Sequence, residues 1–132
     1  MFFVECPFCH RRIFRLWYGF HQARHTALLD DGQQTDHVTM PEGERYEGSL
    51  EGVPQVYHHP ACGGETGMPE EIIRSYLANP FLYNDTTFCT GCGDYVHESE
   101  VFWVETGQSL AEYKQELQQA YLRQQQSSGK QV

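Results

Sequence analysis

The sequence predicts a small α+β fold: short antiparallel strands around cysteine-bearing turns, one helix near 69–79 and an amphipathic C-terminal helix near 109–124. Three observations carry that expectation. Cysteines recur as C-x-x-C at Cys6/Cys9 and Cys89/Cys92, in the turn-forming contexts CPFC and CTGCG. Short runs of β-branched and aromatic residues, VPQVY at 53–57 and VFWV at 101–104, have strand length rather than helix length. Two later segments carry helix punctuation and apolar stripes at helical spacing.

At 132 residues the chain suits one domain, expected over 1–125, with a frayed tail at 126–132. Eight Phe, eight Tyr and two Trp within 39% apolar content are enough to build a modest core. No apolar run approaches membrane-spanning length, so the expected setting is the reducing cytoplasm, where paired cysteines serve metal or redox chemistry. The formal net charge of −9 is unevenly spread. Residues 10–25 hold four Arg and three His with no acid, whereas 26–107 hold fifteen acids against Arg45 and Arg74. A duplex-binding domain presents a broad basic footprint, and this chain would mostly repel phosphate.

Along the chain, CPFC comes first. The segment after it, HRRIFRLWYGFHQARH, is open between helix and strand: Ile13, Leu16, Trp17 and Phe20 have helical spacing, while Gly19 and the aromatic density suit a strand. Residues 30–52, with four Gly, one Pro and scattered acids, read as an irregular solvated loop with a short extended piece at 37–40. In GMPEEIIRSYLANP, Pro69 suits the first helical position, Glu70 and Glu71 favour the positive helix end, and Asn79-Pro80 ends the segment. Its apolar face is Ile72, Ile73, Tyr76 and Leu77. Ser109 and Glu112 form a capping-box pattern opening the last helix, whose stripe is Leu110, Tyr113, Leu117 and Tyr121.

His59 and Cys62 repeat the spacing of the cysteine pairs as H-x-x-C, followed by Gly63 and Gly64. Three ligand pairs therefore exist, and one tetrahedral Zn²⁺ needs two of them. The favoured grouping is His59, Cys62, Cys89 and Cys92, because both pairs carry trailing glycines and a helix between them would fold the chain back. The other is all-cysteine: Cys6, Cys9, Cys89 and Cys92. In the first case Cys6 and Cys9 either hold a second zinc with His10, His21 or His25, or stand as a free dithiol. His37 and His97 read as ordinary polar histidines. The pattern HPACGG…CTGCG resembles the zinc ribbon, in which two such knuckles clasp one metal, and its intervening helix resembles a treble-clef variant. It is also similar to small bacterial proteins of this type, a likeness that implies no reaction.

Catalytic zinc needs an open coordination position and a nearby base; HESEV at 97–101 lacks the second histidine of H-E-x-x-H, so the metal reads as structural. A rival reading comes from CPFC, which resembles the glutaredoxin active site. That resemblance implies Cys6 as nucleophile, Cys9 as resolving thiol and, from GVPQVY, Pro54 as a cis-proline facing them.

Arg11, Arg12, Arg15 and Arg24 interleave with Phe14, Trp17, Tyr18 and Phe20. The expected arrangement buries the aromatics and pairs the arginines with acids. If the segment instead recognises something, Arg11, Arg12, Arg15 and Trp17 are the contact candidates. Their partner would be an acidic protein or the chain's own acidic loop, ahead of single-stranded nucleic acid. The sequence thus points to a non-enzymatic zinc module that binds a protein partner, with a thiol oxidoreductase and a single-strand binder as rivals.

Overall fold

Three turns of one construction organise the chain, and the computed structural model describes them within residues 2–129. In each, a first ligand-type residue stands at the end of a strand or, for Cys6, just past it; two residues intervene, a cysteine follows, and the next residue has positive φ. His10, Gly63 and Gly93 take that position, at φ 64°, 74° and 66°. Their backbone N–H groups donate back to the carbonyls of Cys6, His59 and Cys89 at 2.7, 2.7 and 2.9 Å. Each turn therefore reverses the chain into a hairpin.

The first hairpin pairs β1 (Phe3–Glu5) with β2 (Arg12–Phe14), with Val4 opposite Ile13. A 3₁₀ turn at Arg15–Trp17 leads into α1 (Tyr18–Thr26). The second pairs β3 (Val56–His59) with β4 (Gly64–Gly67), and the third pairs β5 (Thr86–Cys89) with β6 (Asp94–His97). Between them lies α2 (Glu70–Ala78). A two-residue strand, β7 (Phe102–Trp103), joins the free edge of β3, giving the order β4-β3-β7. The closing helix, α3, is Leu110–Gly129.

The fold is therefore α+β, with every strand pair antiparallel. Tyr57, Ile73, Tyr76, Val101, Trp103 and Leu110 form the core, drawn from β3, α2, β7 and its approach, and the start of α3. Tyr113 and Leu117 extend it along the helical stripe, and Tyr121 meets Phe81 edge-on at 5.9 Å. Ser109 caps α3 as its pattern predicts, accepting the Glu112 N–H at 3.1 Å.

Several local expectations shift. The strand foreseen at 53–57 starts at Val56, because Pro54 has no N–H to give a ladder. VFWV narrows to Phe102–Trp103, although Val101 is still fully buried. Residues 37–40 pair with no strand; side chains satisfy their backbone instead, Ser75 Oγ taking the Met40 N–H at 2.9 Å and Tyr83 donating to the Val38 carbonyl. Pro69 sits at the N-cap rather than one position inside. The last helix continues to Gly129 rather than ending near 124, since LRQQQSS contains no breaker. The expected tail at 126–132 thus begins as helix, and 130–132 lie outside the described residues.

Segment 10–25 is both strand and helix. Its aromatics are not core: Leu16, Trp17 and Phe20 are exposed. The inner face of α1 belongs to Tyr18, His21 and His25, which leaves the larger apolar groups turned out. The expected arginine–acid pairs are not made either: among the described residues none of Arg11, Arg12, Arg15 and Arg24 lies within ion-pair distance of a carboxylate.

Candidate metal centres

The second and third turns face each other and bring four donor atoms together. His59 and Cys89, the last residues of β3 and β5, are buried; Cys62 and Cys92 stand at the surface. His59 Nδ1 lies 3.6 Å from Cys89 Sγ and 3.4 Å from Cys92 Sγ, and the Cys62 and Cys89 sulfurs are 3.5 Å apart. All four donors fall within 4.8 Å of one another.

Two devices hold the hairpins in this opposition. Gly64 and Gly91 bring their backbones into contact. Beside them Thr66 and Thr90 lock the strands: the Thr90 N–H donates to Thr66 Oγ1 at 3.1 Å, and Thr90 Oγ1 donates to the Glu65 carbonyl at 2.9 Å. From the core side, the Tyr57 hydroxyl donates to the Phe88 carbonyl, one residue before Cys89.

The electrostatics suit a cation. The Gly64 N–H, donating at 3.3 Å, pulls the Cys62 thiol down to about 7. Hydrogen bonding with Cys62 in turn pushes Cys92 up to about 11. Of the two surface thiols, Cys62 is thus drawn toward the thiolate while Cys92 is held protonated.

The first turn meets a different partner. Cys6, fully buried, and Cys9 join His21 and His25, which stand one turn apart on α1. Cys9 Sγ is 3.3 Å from His21 Nε2, and the two Nε2 atoms are 3.1 Å apart. The four donors again lie within 4.8 Å of one another. Burial, together with the His25 and arginine charges nearby, lowers the His21 pKa and favours the neutral ring that ligates.

The far side of His25 is also organised. Its Nδ1 meets Asp36 Oδ2 at 2.8 Å, and its ring stacks on Phe8 at 4.9 Å. A proton held on Nδ1 by that carboxylate leaves the Nε2 lone pair facing the cluster, the usual outer support of a metal-bound histidine.

The geometry thus settles which side chains meet. His59, Cys62, Cys89 and Cys92 converge. The all-cysteine grouping does not form, because Cys6 and Cys9 meet the two histidines of α1. His10 takes the reversing position of its turn and points to Thr39 Oγ1 at 3.5 Å, outside the cluster. Among the described residues no peptide bond is cis, so Pro54 is trans and buried, and the cis-proline of a thiol oxidoreductase is not formed.

His21 and His25 stood in the sequence as two of three possible partners for Cys6/Cys9, and their four-residue spacing is the signal that separates them from His10. Asp36 carried no signal. The contact candidates Arg11, Arg12, Arg15 and Trp17 are exposed and are not among the donors of either cluster, although the Arg11 charge is felt at His21. No helix among the described residues is long and apolar enough to cross a membrane.

Fold and sites together define a small α+β protein with two Cys/His clusters suited to metal ions. Compared with protein-family models, curated proteins and solved structures, the chain finds no match in any of the three.

Proposed function

We propose that the chain is a non-enzymatic, two-zinc protein in which both metals are structural and the N-terminal unit presents a protein-interaction surface. One observation carries the metal reading: in each cluster four cysteine and histidine donors converge, all within 4.8 Å of one another. With Zn–S near 2.3 Å and Zn–N near 2.05 Å, the edges of that tetrahedron are about 3.3–3.8 Å. The shortest donor separations, 3.1–3.6 Å, approach those edges, and no pair in either cluster lies beyond 4.8 Å. Soft sulfur with imidazole is also the donor set zinc favours over oxygen-seeking cations.

Cys6, Cys9, His21 and His25 would hold one ion on a ββα unit, the arrangement of a Cys₂His₂ finger. His59, Cys62, Cys89 and Cys92 would hold the other between two hairpins, as in a zinc ribbon. Four protein ligands leave no open position for water or substrate, which argues for architecture rather than catalysis. When bound, the ions cross-link strands of two to four residues, too short to be stable alone. The buried Cys6 speaks against the thiol-exchange alternative, since an attacking thiolate must be reached.

Elemental analysis of protein purified without added metal or chelator tests this. Two zinc ions are expected per wild-type chain, and one in each of Cys6→Ser/Cys9→Ser and Cys89→Ser/Cys92→Ser. Chelation should abolish the cooperative thermal transition, since structural zinc contributes about 10–16 kcal/mol in small peptides. A wild-type chain that folds without metal overturns the reading.

A further inference from the structure

The ββα unit turns its largest apolar groups outward. Phe2, Phe3, Phe14, Leu16, Trp17 and Phe20 are 37% to 81% exposed. Several touch in a row: Phe3 meets Phe14 edge-on at 5.9 Å, and Phe14 meets Trp17 at 6.3 Å. The Arg12 guanidinium lies 5.5 Å from the centre of the Phe3 ring. At about 200 Å² per side chain, the exposed fractions amount to roughly 800 Å². Summed over the unit, that area approaches what one partner gives to a standard interface, and the touching row of Phe3, Phe14 and Trp17 supplies roughly 300 Å² of it.

Charge narrows the partner. Residues 2–29 contain four exposed arginines against one acid, the exposed Glu5. A matching surface exists on the chain itself, the segment EGERYEGSLE at 42–51. Glu42, Glu44, Glu47 and Glu51 are exposed there around a part-exposed Tyr46, and among the described residues none is ion-paired. The segment is fastened to α2, where Arg74 donates to the Tyr46 and Gly48 carbonyls at 2.8 and 2.9 Å. Among the described residues it makes no ion pair with its own ββα unit. The aromatic row suits side chains better than bases: its rings cross at 66° and 89°, so they present no parallel faces for stacking.

We propose that the aromatic–arginine face of one chain docks on the 42–51 segment of a second copy, and that two reciprocal contacts close a two-fold dimer. This rests on the N-terminal unit being an interaction surface. Each copy supplies one basic and one acidic patch, so a dimer forms despite the net charge of −9.

Sedimentation velocity on the metal-loaded chain is the test. Wild type should dimerise at micromolar concentration, and more weakly as salt rises. Arg12→Glu/Arg15→Glu and, separately, Glu44→Arg/Glu47→Arg should each weaken the dimer about tenfold or more. Neither pair touches a metal ligand, and unchanged metal content verifies folding. Mixing the two variants should restore a dimer, because the reversed face of one then meets the reversed segment of the other and the second contact is native. A dimer indifferent to both reversals overturns the proposal, as does failure of the mixture to recover. A monomeric wild type also overturns it. Trp17 fluorescence with polyglutamate and with oligothymidylate then separates the two failures: a response to polyglutamate keeps the protein-interaction surface and changes its partner. A response to oligothymidylate alone makes the face a single-strand binder, and a response to neither removes the surface itself.

Discussion

Gly64 and Gly91 meet backbone to backbone beside the cluster of His59, Cys62, Cys89 and Cys92. A Cβ on Gly64 would stand 2.8 Å from Gly91 Cα, and one on Gly91 would stand 2.7 Å from Cys62 Sγ. Neither contact is with a movable side-chain end: one is main chain and the other is a donor atom. The separation of the two hairpins, and with it the donor spacing, depends on two missing methyl groups.

Gly91→Ala should therefore destabilise the protein by about 1–3 kcal/mol through overpacking. Its metal should leave the His59/Cys62/Cys89/Cys92 centre at a lower chelator concentration than in wild type, with the other centre unchanged. Thermal melting and metal retention during chelator titration measure both effects. A Gly91→Ala chain matching wild type in each would show that the hairpins separate without consequence.

Asp36 acts at the first centre only through His25. Asp36→Ala should lower metal affinity there by about 10–100-fold, as loss of an outer partner does, and Asp36→Asn should fall between. Competition with a chromophoric chelator reads the affinity. Equal losses at both centres would mean that the substitution disturbs the fold rather than the ring of His25.

Alkaline pH should unfold the chain through its tyrosines. Burial raises Tyr57, Tyr76, Tyr83 and Tyr113 above the ordinary value, Tyr83 to about 12. A raised value means that the folded state keeps its phenolic protons longer than the unfolded chain. Their contribution is complete below about pH 10 and is lost as pH climbs toward about 12. Tyrosinate absorbance and circular dichroism should change together in that window. Gradual titration of all eight tyrosines with the fold intact would contradict this. In Tyr83→Phe the fall with pH should be shallower.

The second centre was legible because its signals are local. Ligand type, spacing and reversing glycine all lie within HPACGG and CTGCG. Helices α2 and α3 were legible for the same reason, through Pro69 with its acidic first turn and through Ser109 with Glu112. The first centre was harder to see. A three-residue strand is too short to show a period of two, and the 3₁₀ turn at Arg15–Trp17 interrupts the rhythm that would have announced α1. Without the start of α1, the four-residue spacing of His21 and His25 could not be read as one helical face, and His10 still competed. The outward aromatics followed from the same gap, because helical spacing alone does not say that histidines hold the inner face. Strand β4, GETG, has no strand-forming composition and exists as the return leg of its turn. Asp36 reaches His25 across an irregular stretch whose path is tertiary.

The eight donor residues fall into two blocks along the chain, 6–25 and 59–92, and the blocks do not interleave. A ribosome releasing about 5–20 residues per second finishes the first block seconds before it makes Cys92. The early centre can close while the late one is still a single hairpin with two donors. On the two-zinc reading, loading would run in one direction, and a chain stalled midway would carry a finished N-terminal unit. The all-cysteine grouping would have left Cys6 and Cys9 waiting for the last turn to be synthesised.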